Sequence, residues 1–365
     1  MKKILITTDS FLPRYDGVAK FLSEIIPRLS KYYKITIIAP NYGRYNIKNA
    51  KIYKFPLYKV KVGGYRPAKI NLKLIKKLVE DNDLVFNNTI GPIGSASIFY
   101  ASKIKKPILS YVHSIEWILF NESISLPNFF RKYTKFTTKK LAGILYNRCN
   151  TLMVPSIEVA NLLKRNGIKT NKVVIKYGIG KEFKIGNTKK KFKLDDHVVI
   201  GYCGRLSREK NLETLLKAFN KLKYKKKFLL IVGDGPYRNI FFGKNVKVTG
   251  FIKNVVPYLQ CMDIFVLPSL TETVGLSALE AMKTGRAVVS TRVGYMGKYI
   301  KNGYNGYLFP KRNVNFLVKL LTKLVKDKKL RDKIGRNASN AVTNLTWDKT
   351  FRNLKKIIES YINIK

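Results

Sequence analysis

Residues 264–280 read IFVLPSLTETVGLSALE, and the reading of this stretch sets the fold. A short apolar run over 264–268 breaks at Pro268 and Ser269, and a helical pattern opens near Gly275. Strand, loop and helix in that order make half of a βαβ unit, the building block of parallel sheets. The free N–H groups and dipole at the start of such a helix favour a pyrophosphate. Glu272 precedes the helix and Glu280 lies inside it, in a chain with 71 Lys+Arg but only 22 Asp+Glu. At ~1.5 Å rise per residue the two carboxylates fall on the order of 10 Å apart. That separation suits gripping two ends of one polyhydroxylated anion, since a carboxylate accepts hydrogen bonds from both hydroxyls of a vicinal diol. The plainer alternative makes Glu272 a favourable acid at a helix N-terminus and Glu280 a surface charge.

The same alternation recurs along the whole chain. It predicts strands near 3–8, 35–39, 84–87, 107–112 and 151–155, with helices over 17–31 and 69–80. Pro27 should bend or shorten the first helix. In the second half, strands are expected near 198–203, 228–233, 246–249, 264–268 and 287–291, with helices near 211–222, 275–284 and 313–326. A length of 365 residues suggests two domains. The expectation is an α/β protein of two doubly wound, Rossmann-like domains, over 1–176 and 197–345. Residues 177–196, with three glycines and a lysine cluster, read as a linker. Residues 346–365 read as a closing helix with Trp347, Phe351, Leu354, Ile357 or Ile358, and Tyr361 along one face. Two such domains facing each other put a ligand at the carboxyl ends of strands.

Composition narrows the function classes. Cys149, Cys203 and Cys261 are odd in number and far apart, so neither a disulfide framework nor a zinc site is expected, and a cytoplasmic setting is. No apolar run approaches the ~20 residues that span a bilayer. The formal charge of +49 invites a nucleic-acid reading. It is evenly spread, however: 32 basic and 9 acidic residues over 1–180, then 39 and 13 over 181–365. No helix-turn-helix, RRM or KH pattern accompanies it, so specific nucleic-acid binding is not expected.

Three further stretches follow apolar runs. In Gly204-Arg205 and Glu209-Lys210-Asn211, two cations leave a strand end, Arg205 as a fork and Lys210 as a point charge, as a diphosphate clamp requires. Taken alone they are also two of many basic residues on a solvated loop. Val232-Gly-Asp-Gly235-Pro is a tight turn without the glycine spacing of a dinucleotide fingerprint, so a hydride-transfer cofactor is unsupported. Gly250-Phe251-Ile252 brings backbone groups toward a nucleotide base in the functional reading.

Together these segments resemble the retaining glycosyltransferases of family 4. Glu272 and Glu280, continued as AMKTGRAVV through residue 289, look like that family's E-x7-E signature, and 204–211 resembles its diphosphate clamp. Val232-Gly-Asp-Gly-Pro236, Val266-Leu-Pro-Ser269 and Val154-Pro-Ser156 match its recurring segments. The resemblance implies the GT-B fold, with an interdomain cleft and the last helix crossing back onto the N-terminal domain. It implies a UDP- or GDP-sugar donor as substrate, with no metal and no other cofactor. Glu280 would then bind the ribose hydroxyls, and Glu272 the donor sugar near the reacting centre. Arg205 and Lys210 would neutralise the leaving diphosphate, helped by N–H groups near Gly275 and Leu276. Gly204, Gly235, Phe251, Ile252, Thr273 and Val274 complete the implied donor site. Asp16-Gly17 corresponds to the family's glycine loop, where many members carry Gly-Gly. His113 matches its active-site histidine and is expected to hydrogen-bond the transferred sugar. Glu116, close by, receives no role.

The implied reaction moves a hexose to a hydroxyl of a lipid-linked or glycan acceptor. Residues 128–145 place Phe129, Tyr133, Phe136, Leu141 and Ile144 on one face, with Arg131, Lys132, Lys135, Lys139 and Lys140 over much of the rest. This helix either lies on an anionic membrane or packs its stripe against the sheet. Asp81-Asn-Asp83 matches a metal-binding D-x-D pattern but sits between a helix and a strand, where acids are ordinary. Two rival readings remain: a nucleotide-sugar epimerase of the same fold, and a non-catalytic basic protein that binds nucleic acid or anionic membrane.

Overall fold

The computed structural model describes residues 1–60, 65–124 and 127–362. The chain forms two compact units, Met1–Gly178 with Trp347–Lys365, and Ile179–Thr346. In the first unit the strands are β1 (Lys3–Thr7), β2 (Lys34–Pro40), β3 (Ala50–Phe55), β4 (Leu84–Asn87), β5 (Ile108–Tyr111), β6 (Thr151–Val154) and β7 (Asn171–Val174). They pair in the order β3-β2-β1-β4-β5-β6-β7, all parallel. Every residue of β4, β5 and β6 is buried, which is why these strands read as unbroken apolar runs. The edge strands β3 and β7, AKIYKF and NKVV, escaped the sequence reading. Their lysines and partial exposure suit an edge and leave no buried run to detect.

The second unit repeats the plan. Strands β8 (Val198–Cys203), β9 (Lys227–Val232), β10 (Val246–Val248), β11 (Ile264–Leu267), β12 (Ala287–Thr291) and β13 (Tyr307–Phe309) pair in the order β10-β9-β8-β11-β12-β13, again all parallel. Both orders are the Rossmann order, reversing between β1 and β4 in one sheet and between β8 and β11 in the other. Ligands bind such sheets in the crevice outside the carboxyl ends of the strands at that reversal.

The segment expected to be a linker, 177–196, is for the most part packed into the second unit. Phe183 and Leu194 are buried, and Lys189 Nζ lies 2.6 Å from Asp263 Oδ2. The Arg286 guanidinium donates to the Gly186 carbonyl at 2.9 Å. A lysine-rich, glycine-rich composition concealed these anchors, because each depends on a partner far along the chain. The acids of 81–83 have local work: Asp83 Oδ2 accepts the Lys3 N–H at 2.7 Å.

The first helix, Gly17–Leu29, runs two residues past Pro27 and then stops. The closing helix, Trp347–Ile362, buries Trp347, Leu354, Ile358 and Ile362 within the first unit. Ile358, not Ile357, faces the core. Arg28 Nε and Asp348 Oδ1 meet at 3.0 Å, and Tyr32 stacks on Phe351.

The helix Asn128–Tyr146 answers the question left open by its sequence. Ala142, Leu145 and Tyr146 are buried, whereas Phe129, Phe130, Tyr133, Phe136, Leu141 and Ile144 are exposed. The aromatic stripe therefore faces outward, and the core-packing reading is corrected. Ala142, Leu145 and Tyr146, toward the end of the helix, make its buried contacts instead.

Leu354 is fully buried, so Leu354→Ala should destabilise the first unit by about 2–5 kcal/mol. Urea denaturation monitored by tryptophan fluorescence checks this.

Candidate active site

In the second unit the loops after β8, β9 and β10 are laced together through their backbones. The Gly204 N–H donates to the Val232 carbonyl at 2.9 Å, Leu206 N–H to Asp234 O at 2.9 Å, and Gly233 N–H to Gly250 O at 3.1 Å. A Cβ at Gly233 would lie 1.9 Å from the Gly204 carbonyl oxygen, and one at Gly235 would lie 2.4 Å from that of Leu206. Both glycines also have left-handed φ values, +141° and +153°. Only glycine permits this approach.

The lacing fixes the loop that carries Arg205 and Lys210. Arg205 donates from Nε to Ser207 Oγ at 3.1 Å and from Nη2 to Glu209 Oε1 at 3.1 Å. Lys210 Nζ lies 2.5 Å from Glu272 Oε1, which also accepts the Ser269 hydroxyl at 2.9 Å. Burial alone would lower the Lys210 pKa, but the carboxylates of Glu272 and Glu209 outweigh it and raise the value. Burial likewise acts to raise Glu209, and the charges of Arg205 and Lys210 with the Ser207 hydroxyl pull it below its ordinary value instead. Two more bonds tie this loop to the end of β11: Leu270 N–H to Glu209 O at 2.8 Å, and Asn211 Nδ2 to Pro268 O at 3.1 Å. The loops after β8 and β11 are thus joined, with Arg205 and Lys210 on one and Glu272 on the other.

Gly275 adopts φ +74° and precedes the helix Leu276–Lys283, with no side chain capping that helix. A Cβ at Gly294 would lie 2.3 Å from the Glu272 carbonyl oxygen, so the following loop packs tightly under Glu272. Tyr295 N–H reaches Thr273 O at 3.3 Å, and Val274 is buried. Glu280 is buried on the same helix, not a surface charge. Phe251 is exposed just beyond β10, beside the partly buried Ile252. The second unit therefore gathers Gly204, Arg205, Lys210, Gly235, Phe251, Ile252, Glu272, Gly275, Leu276 and Glu280 at one end of one sheet.

In the first unit, Asp16 caps the first helix, accepting from Val18 and Ala19 N–H groups at 3.0 and 3.1 Å. It also receives the Ser10 hydroxyl and pairs with Arg14 Nε at 3.5 Å. Its backbone is extended, φ −137°, so aspartate stands there without the freedom of a glycine. Space at Gly17 is open. His113 follows β5 and stacks on Tyr111, with Phe21 at its edge; Phe21 and Tyr177 also meet Trp347 from the closing helix. Both ring nitrogens have partners: Nδ1 the Tyr177 hydroxyl, Nε2 the Asn88 Oδ1 at 3.1 Å. Asn88 Nδ2 donates to Phe86 O, which assigns its oxygen to the histidine and the proton to Nε2. Burial pushes His113 down to about 3, so it is a neutral ring at ordinary pH.

Sequence reasoning missed Glu209 and Ser207 as partners of Arg205, Ser269 as a partner of Glu272, and Asn88 and Tyr177 as partners of His113. The scarcity of acids that singled out Glu272 also marks Glu209.

Comparison with known proteins now identifies the chain. Residues 15–180 match the family described as Glycosyltransferase Family 4, and residues 184–341 match Glycosyl transferases group 1. The chain is a family 4 glycosyltransferase. An uncharacterized glycosyltransferase of Methanocaldococcus jannaschii is 24% identical over 360 residues, covering 96% of each chain. The alpha-monoglucosyldiacylglycerol synthase of Acholeplasma laidlawii is 23% identical, covering 92% of this chain and 91% of its own. The Anabaena protein HepE, solved in complex with UDP-glucose, superposes with a TM-score of 0.79 at 18% identity, covering 99% and 100% of the two chains. This glycosyltransferase has the GT-B fold, and its enzyme class is hexosyltransferase.

Glu116 adds a titrating group to the first unit of the glycosyltransferase. Burial pushes its carboxyl up to about 7, although Tyr146 donates to Oε1 at 2.7 Å. Between its ordinary value near 4.5 and about 7 the folded protein therefore holds a proton that the unfolded chain has lost. That contribution to stability is complete below the lower value and lost as pH rises through the upper one. Glu116→Gln should accordingly gain about 2 kcal/mol relative to wild type between pH 5 and pH 8. Urea unfolding at both pH values measures it, and an unchanged difference would refute it.

Proposed function

We propose that this glycosyltransferase moves a hexose from a UDP- or GDP-sugar to a hydroxyl of a lipid-linked or glycan acceptor, with retained configuration and without a metal. One observation carries the reading. Arg205, Lys210 and the uncapped helix start at Gly275 surround the crevice between β8 and β11, with Glu272 paired to Lys210 at 2.5 Å.

Breaking the bond between the anomeric carbon and the diphosphate oxygen leaves negative charge on the leaving group. Preset cations and helix dipoles aimed at that oxygen lower the barrier without reorganising. In this reading Arg205 and Lys210 supply the positive charge that a metal would otherwise bring. Glu272, displaced from Lys210 by the diphosphate, turns to the donor sugar, while Glu280 takes the ribose diol. His113 was expected to hydrogen-bond the transferred sugar, but its two nitrogens are already taken by Tyr177 and Asn88, so no sugar contact is drawn from it. Retention is carried over from the family resemblance, and the UDP base agrees with the ligand named for HepE.

The acceptor side is read from the helix Asn128–Tyr146. Its exposed aromatics and its lysines suit the surface of an anionic membrane, where the side chains enter the headgroup layer and the cations meet phosphates. The relative from Acholeplasma laidlawii is named for a diacylglycerol lipid, in keeping with a lipid acceptor. No helix among the described residues is long and apolar enough to cross a membrane.

The decisive experiment measures nucleoside diphosphate release from UDP-, GDP- and ADP-sugars in EDTA, with and without a lipid extract. One donor should be turned over by the wild type, and Glu272→Gln should lose at least about a hundredfold in rate, the scale of a group acting at the reacting centre. Equal rates in the two proteins would remove Glu272 from the chemistry. Phe129→Asp with Phe136→Asp should abolish flotation with phosphatidylglycerol vesicles; retained flotation would assign membrane contact elsewhere.

A further inference from the structure

We propose that Glu209 is a positioning residue of the diphosphate clamp, holding Arg205 in place and offsetting one of the clamp's two positive charges. The inference rests on the donor-site reading given above. It begins from an asymmetry between the two carboxylates that accompany the cations. The Glu272 side chain keeps 14% of its surface exposed and its partner Lys210 keeps 20%, so an arriving anion can part them. The Glu209 side chain keeps 4% and lies beneath the loop, where nothing arriving from solvent displaces it.

Its bonds are directed at the clamp. Oε1 accepts Arg205 Nη2 at 3.1 Å and the Ser207 hydroxyl at 2.5 Å, while Ser207 Oγ in turn accepts Arg205 Nε at 3.1 Å. The guanidinium is thus gripped along one edge and its direction is set. The other oxygen, Oε2, is buried and meets no hydrogen-bond donor among the described residues. A buried carboxylate oxygen without a donor costs stability, so its presence beside the two cations calls for a reason. The charges of Arg205 and Lys210 keep it ionised in spite of burial.

A fixed negative charge under two cations has two effects on a bound diphosphate. It keeps the fork of Arg205 pointed at the phosphate oxygens, which serves the transition state. It also weakens the attraction for the product, so the nucleoside diphosphate leaves. Removing the charge while keeping the shape separates these effects from mere support of the loop.

The test uses the full chain, with UDP and GDP as calorimetric probes and turnover of the corresponding sugars. Glu209→Gln should bind whichever diphosphate the wild type binds about tenfold more tightly, the scale of one unit charge at this range in a partly screened site. Its kcat should fall about tenfold as release slows and Arg205 loses its fixed direction, and the donor KM should not rise. Glu209→Asp, which keeps the charge but not the reach, should retain wild-type diphosphate affinity and lose kcat. Affinity that is unchanged or weaker in Glu209→Gln overturns the inference. So does a loss of kcat and affinity that merely tracks the folded fraction in a thermal melt. Arg205→Ala separates this from the reading beneath it. If that variant binds UDP and GDP as the wild type does, the clamp itself is wrong. If it loses binding while Glu209→Gln behaves as wild type, only the role of Glu209 is wrong.

Discussion

A parallel sheet whose strand order reverses must leave a crevice where the winding changes direction, because the loops on either side depart to opposite faces. Both sheets of this protein reverse once, beside β1 and beside β8. Nearly everything chemical in the chain stands at those two places. The loop after β8 carries the two cations, and the loop after β11 carries Glu272 and the helix start at Gly275. In the other sheet, the loop after β1 leads to Asp16, and the strand ends of β4 and β5 bring Asn88 to His113.

Acids are the scarce material of this chain, and their placement shows what is expensive. With 71 basic residues, most lysines are left to water. The cations at the crevice are different, since Arg205 and Lys210 are each matched to a carboxylate within 3.1 Å. Partly buried charges need such partners to remain charged at all. The site is consequently close to neutral when empty, inside a molecule of strongly positive charge. The surrounding field draws anions in from a distance, and under the proposed function an arriving diphosphate would have to part Glu272 from Lys210.

The fold was legible because its central strands are buried on both faces and write continuous apolar runs. β4, β8 and β12 were bounded in sequence as they stand in the structure. β3, β7 and β13 were not read, since edge strands are short or interrupted by lysine. Arg205, Lys210, Glu272 and Glu280 were singled out by their spacing, and the structure brings Lys210 onto Glu272. What sequence could not supply was partnership. That Glu209 grips Arg205, that Tyr177 and Asn88 occupy both nitrogens of His113, and that Gly186 receives Arg286 each depend on contacts set by folding. Exposure was equally hidden: the stripe of the helix Asn128–Tyr146 has the periodicity of a packed face, and only the burial of Ala142, Leu145 and Tyr146 shows which side faces inward.

The glycine lacing among the loops after β8, β9 and β10 bears on how the protein can change over generations. Gly233 and Gly235 press on carbonyl oxygens of the clamp loop, not on side chains that could shrink in compensation. A substitution at either therefore has no second-site remedy short of rebuilding the loop. Exposed side chains beside these loops do not meet that backbone clash. Under the proposed function, a change of donor preference would therefore fall on side chains around these loops and not on the two glycines, whose place is fixed by sterics.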